Sequence, residues 1–212
     1  MTKISTVLFD FDGVIAHTEP QYDIYIEKLG EKYNLGIENF ATLVKGTTTP
    51  YILENYFSHL SQEEQLKIEQ DMSDFEQEMD FPLVNGVMKY INYLKENKYK
   101  VGLVTSSQEV KMKRALKLLN LSETFDTIVT AARIVDGKPN PMCYLLAAED
   151  LNSAPKECIV FEDSFHGIQA GKSAGMRVVG LSTTINKKDL AEKVNHVIPD
   201  FSDLKQVVEF LA

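Results

Sequence analysis

Six short apolar runs punctuate the chain, at residues 4–9, 101–104, 127–130, 158–161, 178–181 and 196–198. Each is shorter than a helix needs, and turn residues flank most of them, so they read as buried strands. Between them apolar residues recur at helical spacing, as Val87, Ile91 and Leu94 in one segment and Leu204, Val207, Val208 and Leu211 in another. From about residue 86 onward strand and helix alternate. That alternation predicts an α/β fold, a doubly wound, Rossmann-like parallel sheet with helices on both faces, whose ligands gather beyond the carboxyl ends of the strands.

Residues 17–81 break the rhythm, because their pattern is helical throughout. Tyr22, Ile26, Leu29 and Tyr33 make one stripe, and Ile52, Leu53, Tyr56 and Phe57 suggest a second. Ser61 and Glu64 have capping-box spacing ahead of a third stripe of Ile68, Met72, Phe75 and Met79. The expectation is an all-helical insertion over 17–81, with residues 1–16 and 82–212 together building the sheet. Eight acidic residues between 63 and 80 face the single Lys67 and read as a solvated face.

Composition narrows the partners. At 212 residues, 44% hydrophobic and 25% charged, the chain is ordinary globular material with room for one core and a small second module. No apolar run approaches the roughly 18–20 residues of a membrane span, and the first residues lack a secretory pattern, so the expectation is a cytoplasmic protein. A net charge of −9 disfavours nucleic acid and anionic membranes as partners. Cys143 and Cys158 have no CxxC spacing and read as reduced core residues.

The chemistry stands at the strand ends. Phe9-Asp10-Phe11-Asp12-Gly13-Val14 puts two carboxylates just past the first strand, where burial is costly unless a cation or a reaction needs them. Alone this pair reads as an Asx-turn. Three further clusters follow: Thr105-Ser106-Ser107, able to offer a hydroxyl and N–H groups to a phosphate; Gly137-Lys138-Pro139-Asn140-Pro141, a lysine in a rigid turn; and Glu162-Asp163-Ser164 followed by Gly167. Together they supply a nucleophile, a proton donor, phosphate donors, a cation and metal ligands, the parts that phosphoryl transfer through an aspartyl-phosphate requires.

These motifs, FDFDGV, VTSS, GKPNP and FEDSFHG, resemble those of the haloacid dehalogenase superfamily. The helical insertion and the run Ala170-Gly171-Lys172-Ser173-Ala174-Gly175-Met176 resemble its beta-phosphoglucomutase-like branch, in which such an insertion is a mobile cap. The resemblance implies that Asp10 is nucleophile and Mg²⁺ ligand. Asp12 is then general acid and base, and lends its carbonyl to the metal. Thr105, the Ser106 amide and Lys138 hold the phosphoryl oxygens, and Glu162 and Asp163 complete the metal site. The activity implied is a phosphatase acting on a small phosphorylated metabolite, a sugar phosphate by analogy, as a monomer or weak homo-oligomer. A phosphosugar isomerase of the beta-phosphoglucomutase kind is the alternative, and a silent binding module is a third.

The cap departs from the family pattern. Tyr22 stands where the mutase has a histidine, and Lys45-Gly46-Thr47-Thr48-Thr49-Pro50 lacks the arginine that grips a distal phosphate. Lys45 is either a contact to an anionic group of the substrate or an exposed surface lysine. Thr18 either meets the general acid, as a hydroxyl does in related proteins, or caps the helix that opens at Pro20. His17 replaces a common aspartate and reads as a substrate contact or as hinge packing, and Met142 replaces another aspartate. His59, His166 and His196 share no spacing and have no assigned role.

Overall fold

The structure is a computed structural model that describes residues 3–194 and 196–212. Met1 and Thr2, part of the segment read for a secretory pattern, lie outside the described residues. Six strands form one parallel sheet: β1 (Thr6–Phe9), β2 (Lys100–Val104), β3 (Thr127–Val129), β4 (Cys158–Glu162), β5 (Arg177–Leu181) and β6 (His196–Ile198), in the order β3-β2-β1-β4-β5-β6. The expected strands are all present, each within two residues of its expected bounds. The order reverses at β1, so the crevice beside its carboxyl end is the topological switch point where ligands bind in such sheets.

Strand residues alternate between two cores. On β1, Val7 and Phe9 face one apolar cluster and Leu8 faces the other; on β4, Ile159 and Phe161 go one way and Cys158 and Val160 the other. The two-residue period of a strand buried on both faces therefore reads as an unbroken apolar run. The first face is covered by α5 (Val87–Glu96), α6 (Glu109–Leu118) and α10 (Leu204–Glu209), with Phe9, Tyr90, Phe161 and Phe201 as its aromatic centre. The second is covered by α7 (Met142–Asp150), α8 (Phe165–Ser173) and α9 (Lys187–Ala191).

Between β1 and α5 the chain is helical: α1 (Glu19–Lys32), α2 (Phe40–Val44), α3 (Thr49–Tyr56) and α4 (Gln62–Glu78). The sequence pattern missed α2, whose five residues are too short to display a period. These helices share a third apolar cluster, including Ile26, Leu29, Phe40, Phe57, Ile68 and Met72. The capping box of α4 forms as expected, Ser61 Oγ accepting from Glu64 N while the Glu64 carboxylate accepts from Ser61 N. The chain leaves and rejoins the sheet at one place, where His17 N donates to the Pro82 carbonyl at 2.7 Å. The His17 side chain is exposed, so it packs no hinge. No described helix is long and apolar enough to cross a membrane.

Candidate active site

β1 ends directly into Asp10, whose N–H still bonds to the Phe161 carbonyl of β4. This pairing holds a carboxylate with only 5% of its residue surface exposed at the switch point. Gly13 then turns the chain with φ of 75°, a left-handed conformation that glycine adopts without strain, and a Cβ there would run into the Asp163 carboxylate.

Lys138 reaches the same point from the loop after β3. Its Nζ donates to Asp10 Oδ1 at 2.7 Å and to Glu162 Oε1 at 2.6 Å, and it is almost fully buried. Burial alone would favour the neutral amine, but Asp10 and Glu162 hold Lys138 well above its usual value, so it stays charged. Glu162 is saturated: Oε1 also accepts from Tyr144 Oη at 2.8 Å, and Oε2 accepts from the N–H groups of Asp163 and Ser164 and from Ser164 Oγ. A Cβ on Gly167 would fall on this carboxylate, which accounts for the glycine at that position of α8.

Asp10, Glu162 and Asp163 bring ligand oxygens within 4.8 Å of one another. Burial, the charge of Glu162 and the charge of Asp12 push the Asp10 carboxyl up to about 8 against the pull of Lys138. Burial likewise raises Asp163 well above the usual range, and Glu19, Glu162 and Asp10 add to it. Its described hydrogen-bond donor is the Thr184 hydroxyl. The cluster is short of positive charge and offers only hard oxygen donors, so its chemistry suits Mg²⁺. Asp10 and Asp163 have open lone pairs for such an ion, while Glu162 adds charge from behind them.

Asp12 faces the other side of the same chamber. Thr18 Oγ1 donates to its Oδ1 at 2.6 Å and Ser107 Oγ to its Oδ2 at 2.8 Å. Lys111, from α6, donates to both oxygens at 2.6 Å with its side chain wholly buried, and lies 4.7 Å from the centre of the Tyr22 ring. Burial would raise the Asp12 carboxyl, but the Lys111 charge and these hydrogen bonds outweigh it and hold it below its usual value. The Thr18 hydroxyl thus goes to Asp12 and makes no capping bond to α1. Lys111 was not singled out in the sequence, because one lysine in a lysine-rich amphipathic helix carries no local signal.

Asp10, Asp12, Thr105, Ser106, Lys45 and Asp163 line one chamber between sheet and helices, with Lys138, Glu162 and Thr18 bonded immediately behind it. Thr105 Oγ1 accepts from Ser107 N, and Ser106 Oγ donates to the Gly46 carbonyl, tying the strand turn to the helical insertion. The exposed-lysine reading of Lys45 fails. Lys45 is buried, and its Nζ pairs with Asp23 at 2.6 Å and with Glu19 at 3.5 Å. Burial raises the Glu19 carboxyl to about 7 even though Lys45 pulls it down. His166 joins the site through its Nδ1, 3.0 Å from the Lys45 carbonyl. The acidic face of α4 is not wholly solvated either, since Glu76 lines the chamber and accepts from Tyr22 Oη at 2.5 Å.

The sequence model of the haloacid dehalogenase-like hydrolases matches residues 7–181. The Bacillus subtilis (strain 168) protein YhcW, whose name marks it as a candidate phosphatase, is 33% identical over 210 residues, covering 95% of this chain and 94% of that one. A Thermotoga maritima protein named phosphorylated carbohydrates phosphatase is 29% identical over 198 residues, covering 86% and 88%. Among solved structures, beta-phosphoglucomutase from Clostridium difficile superposes with a TM-score of 0.82 at 28% identity, covering 98% of this chain and 96% of that one.

Proposed function

Because the chain belongs to the haloacid dehalogenase-like hydrolases, with relatives named as phosphatases, we propose that it hydrolyses a small phosphorylated metabolite, a sugar phosphate class ester, through an aspartyl-phosphate on Asp10. The observation that carries the reading is the meeting, in one chamber, of a buried Asp10 paired with Lys138, a second carboxylate at Asp12, and an acidic cluster short of positive charge. Helices over 17–81 act as its cap.

In the proposed reaction an Asp10 carboxylate oxygen attacks phosphorus. The Asp10–phosphorus bond forms as the bond to the alcohol oxygen breaks, and that oxygen takes a proton from Asp12. Water then attacks the phosphoryl group, Asp12 takes its proton, and phosphate leaves Asp10 free. Lys111 holds Asp12 ionised in the arrangement seen here, which is the form needed as base; donating a proton requires Asp12 to release Lys111. Lys138, Thr105 and the Ser106 N–H hold the phosphoryl oxygens at the mouth of β1 and β2. Asp10, Asp163 and the Asp12 carbonyl would hold Mg²⁺ with Glu162 behind them, and the ion would offset the repulsion between carboxylate and dianion.

The likeness to a mutase favours an isomerase as second reading. An isomerase must grip a second phosphate in the cap, where the family's arginine is missing, and Lys45, which could have stood in for it, is already engaged by Asp23 and Glu19. Water is therefore the assigned acceptor. Phosphate release should be measured over a panel of phosphomonoesters, with an aryl phosphate included, with Mg²⁺ and with chelator. Activity that needs the metal and falls on the order of a thousandfold or more in Asp10→Asn is expected. Chelator-resistant turnover, a mutant at the parent rate, or sugar phosphate isomerisation faster than any phosphate release would overturn the reading.

A further inference from the structure

The cap half of the chamber carries an excess of negative charge that the hydrolysis itself does not use. Glu19, Asp23 and Glu76 line it against the single cation Lys45 among the described residues. Lys45 is consumed by Glu19 and Asp23. Among the described residues Tyr22 satisfies only Oε1 of Glu76 and Lys45 approaches only Oδ1 of Asp23, so the Glu76 Oε2 and the Asp23 Oδ2 are left as acceptors. Ile26, Ile52 and Met72 stand on the same wall beside Thr47 and Thr49, and the Asp23 side chain is 46% exposed, so water screens Glu76 less than it screens Asp23.

Given the phosphatase reading, on which this step rests, we propose that the alcohol released by the enzyme bears a protonated amine, as in an amino sugar or amino alcohol monophosphate, and that Glu76 and Asp23 select it. An ammonium group donates three hydrogen bonds and supplies the missing positive charge. A hydroxyl at the same place supplies only one donor and no charge. A carboxylate or second phosphate there would face Asp23 and Glu76, with Lys45 and Lys111 already paired to other carboxylates.

The test compares kcat/KM for glucosamine 6-phosphate, glucose 6-phosphate and N-acetylglucosamine 6-phosphate with Mg²⁺ at a pH of about 6.5, where an amine of this kind is protonated. The amine should be preferred over both neutral sugars by roughly tenfold, the scale of one partly desolvated charge contact. In Glu76→Gln and in Asp23→Asn, read separately and each checked for folding by circular dichroism, the ratio should fall toward one whatever the change common to all three sugars. A wild-type ratio at or below one overturns the proposal. So does a preference that both variants retain, since other groups would then be selecting the amine. Metal-dependent release from an aryl phosphate in the same preparation separates this failure from failure of the phosphatase reading itself.

Discussion

Buried lysines survive only where acceptors compensate the lost water, and the two beside the catalytic carboxylates are held on different ones. Lys138 is shared by Asp10 and Glu162, and Lys111 belongs to Asp12 alone. Lys111→Met therefore leaves Asp12 buried without its counter-charge, and should cost about 3 kcal/mol, the lower end for broken buried pairs because Asp12 retains Thr18 and Ser107. Urea unfolding measures it, and adding Asp12→Asn to the same chain should recover part of the loss; equal and additive losses would mean the pair contributes nothing. Gly167→Ala tests the packing behind Glu162. Its Cβ would overlap a carboxylate that five donors fix in place, so a loss of about 2 kcal/mol or more is expected by the same measurement.

Among elements, the best isolated polar device joins the start of β3 to the end of α7. Arg133 donates to both Asp150 oxygens, at 2.7 and 3.0 Å, and the Thr127 hydroxyl donates to the same carboxylate. The hydrogen bond from Arg133 is the main cause that holds Asp150 below its usual value, against the opposing effect of burial. A depressed carboxylate contributes stability that is fully present above its unfolded pKa and is lost as pH falls through the folded value. Asp150→Asn should thus remove that acid-limb slope and lower stability near neutrality by no more than about 1 kcal/mol, because the pair is partly exposed. Thermal melts of both proteins from about pH 6 down to about pH 3, across the ordinary Asp range, decide it; parallel curves through that range would sink the assignment.

At the scale of the molecule, the sheet brings carboxylates from the ends of β1 and β4 together, and only the folded chain can offer them to one ion. Mg²⁺ at a hundred times its Kd should then stabilise the fold by about 2.7 kcal/mol. For a chain of this size that is an increase in Tm of roughly 5–10 °C. Asp163→Asn should abolish most of the increase in a melt with and without Mg²⁺. An unchanged increase would place the ion elsewhere.

The alternation of apolar runs and helical stripes determined the parallel sheet, because a strand buried on both faces and an amphipathic helix each have a local period that no tertiary contact needs to explain. The motif residues were legible for a related reason. Asp10, Thr105 and Glu162 each stand at the end of an apolar run, where a carboxylate or hydroxyl is out of place unless the strand end is a site. What the sequence left open was decided by partners far apart in the chain. Lys45 could be exposed or a phosphate grip until α1 brought Asp23 and Glu19 against it, and Thr18 could cap α1 until its hydroxyl met Asp12. Lys111 and Glu76 had no signal of their own, since a lysine on α6 and a glutamate on α4 look like their solvated neighbours in the same helices. Their burial follows from how the helical insertion packs on the sheet, and a one-dimensional pattern does not contain that packing.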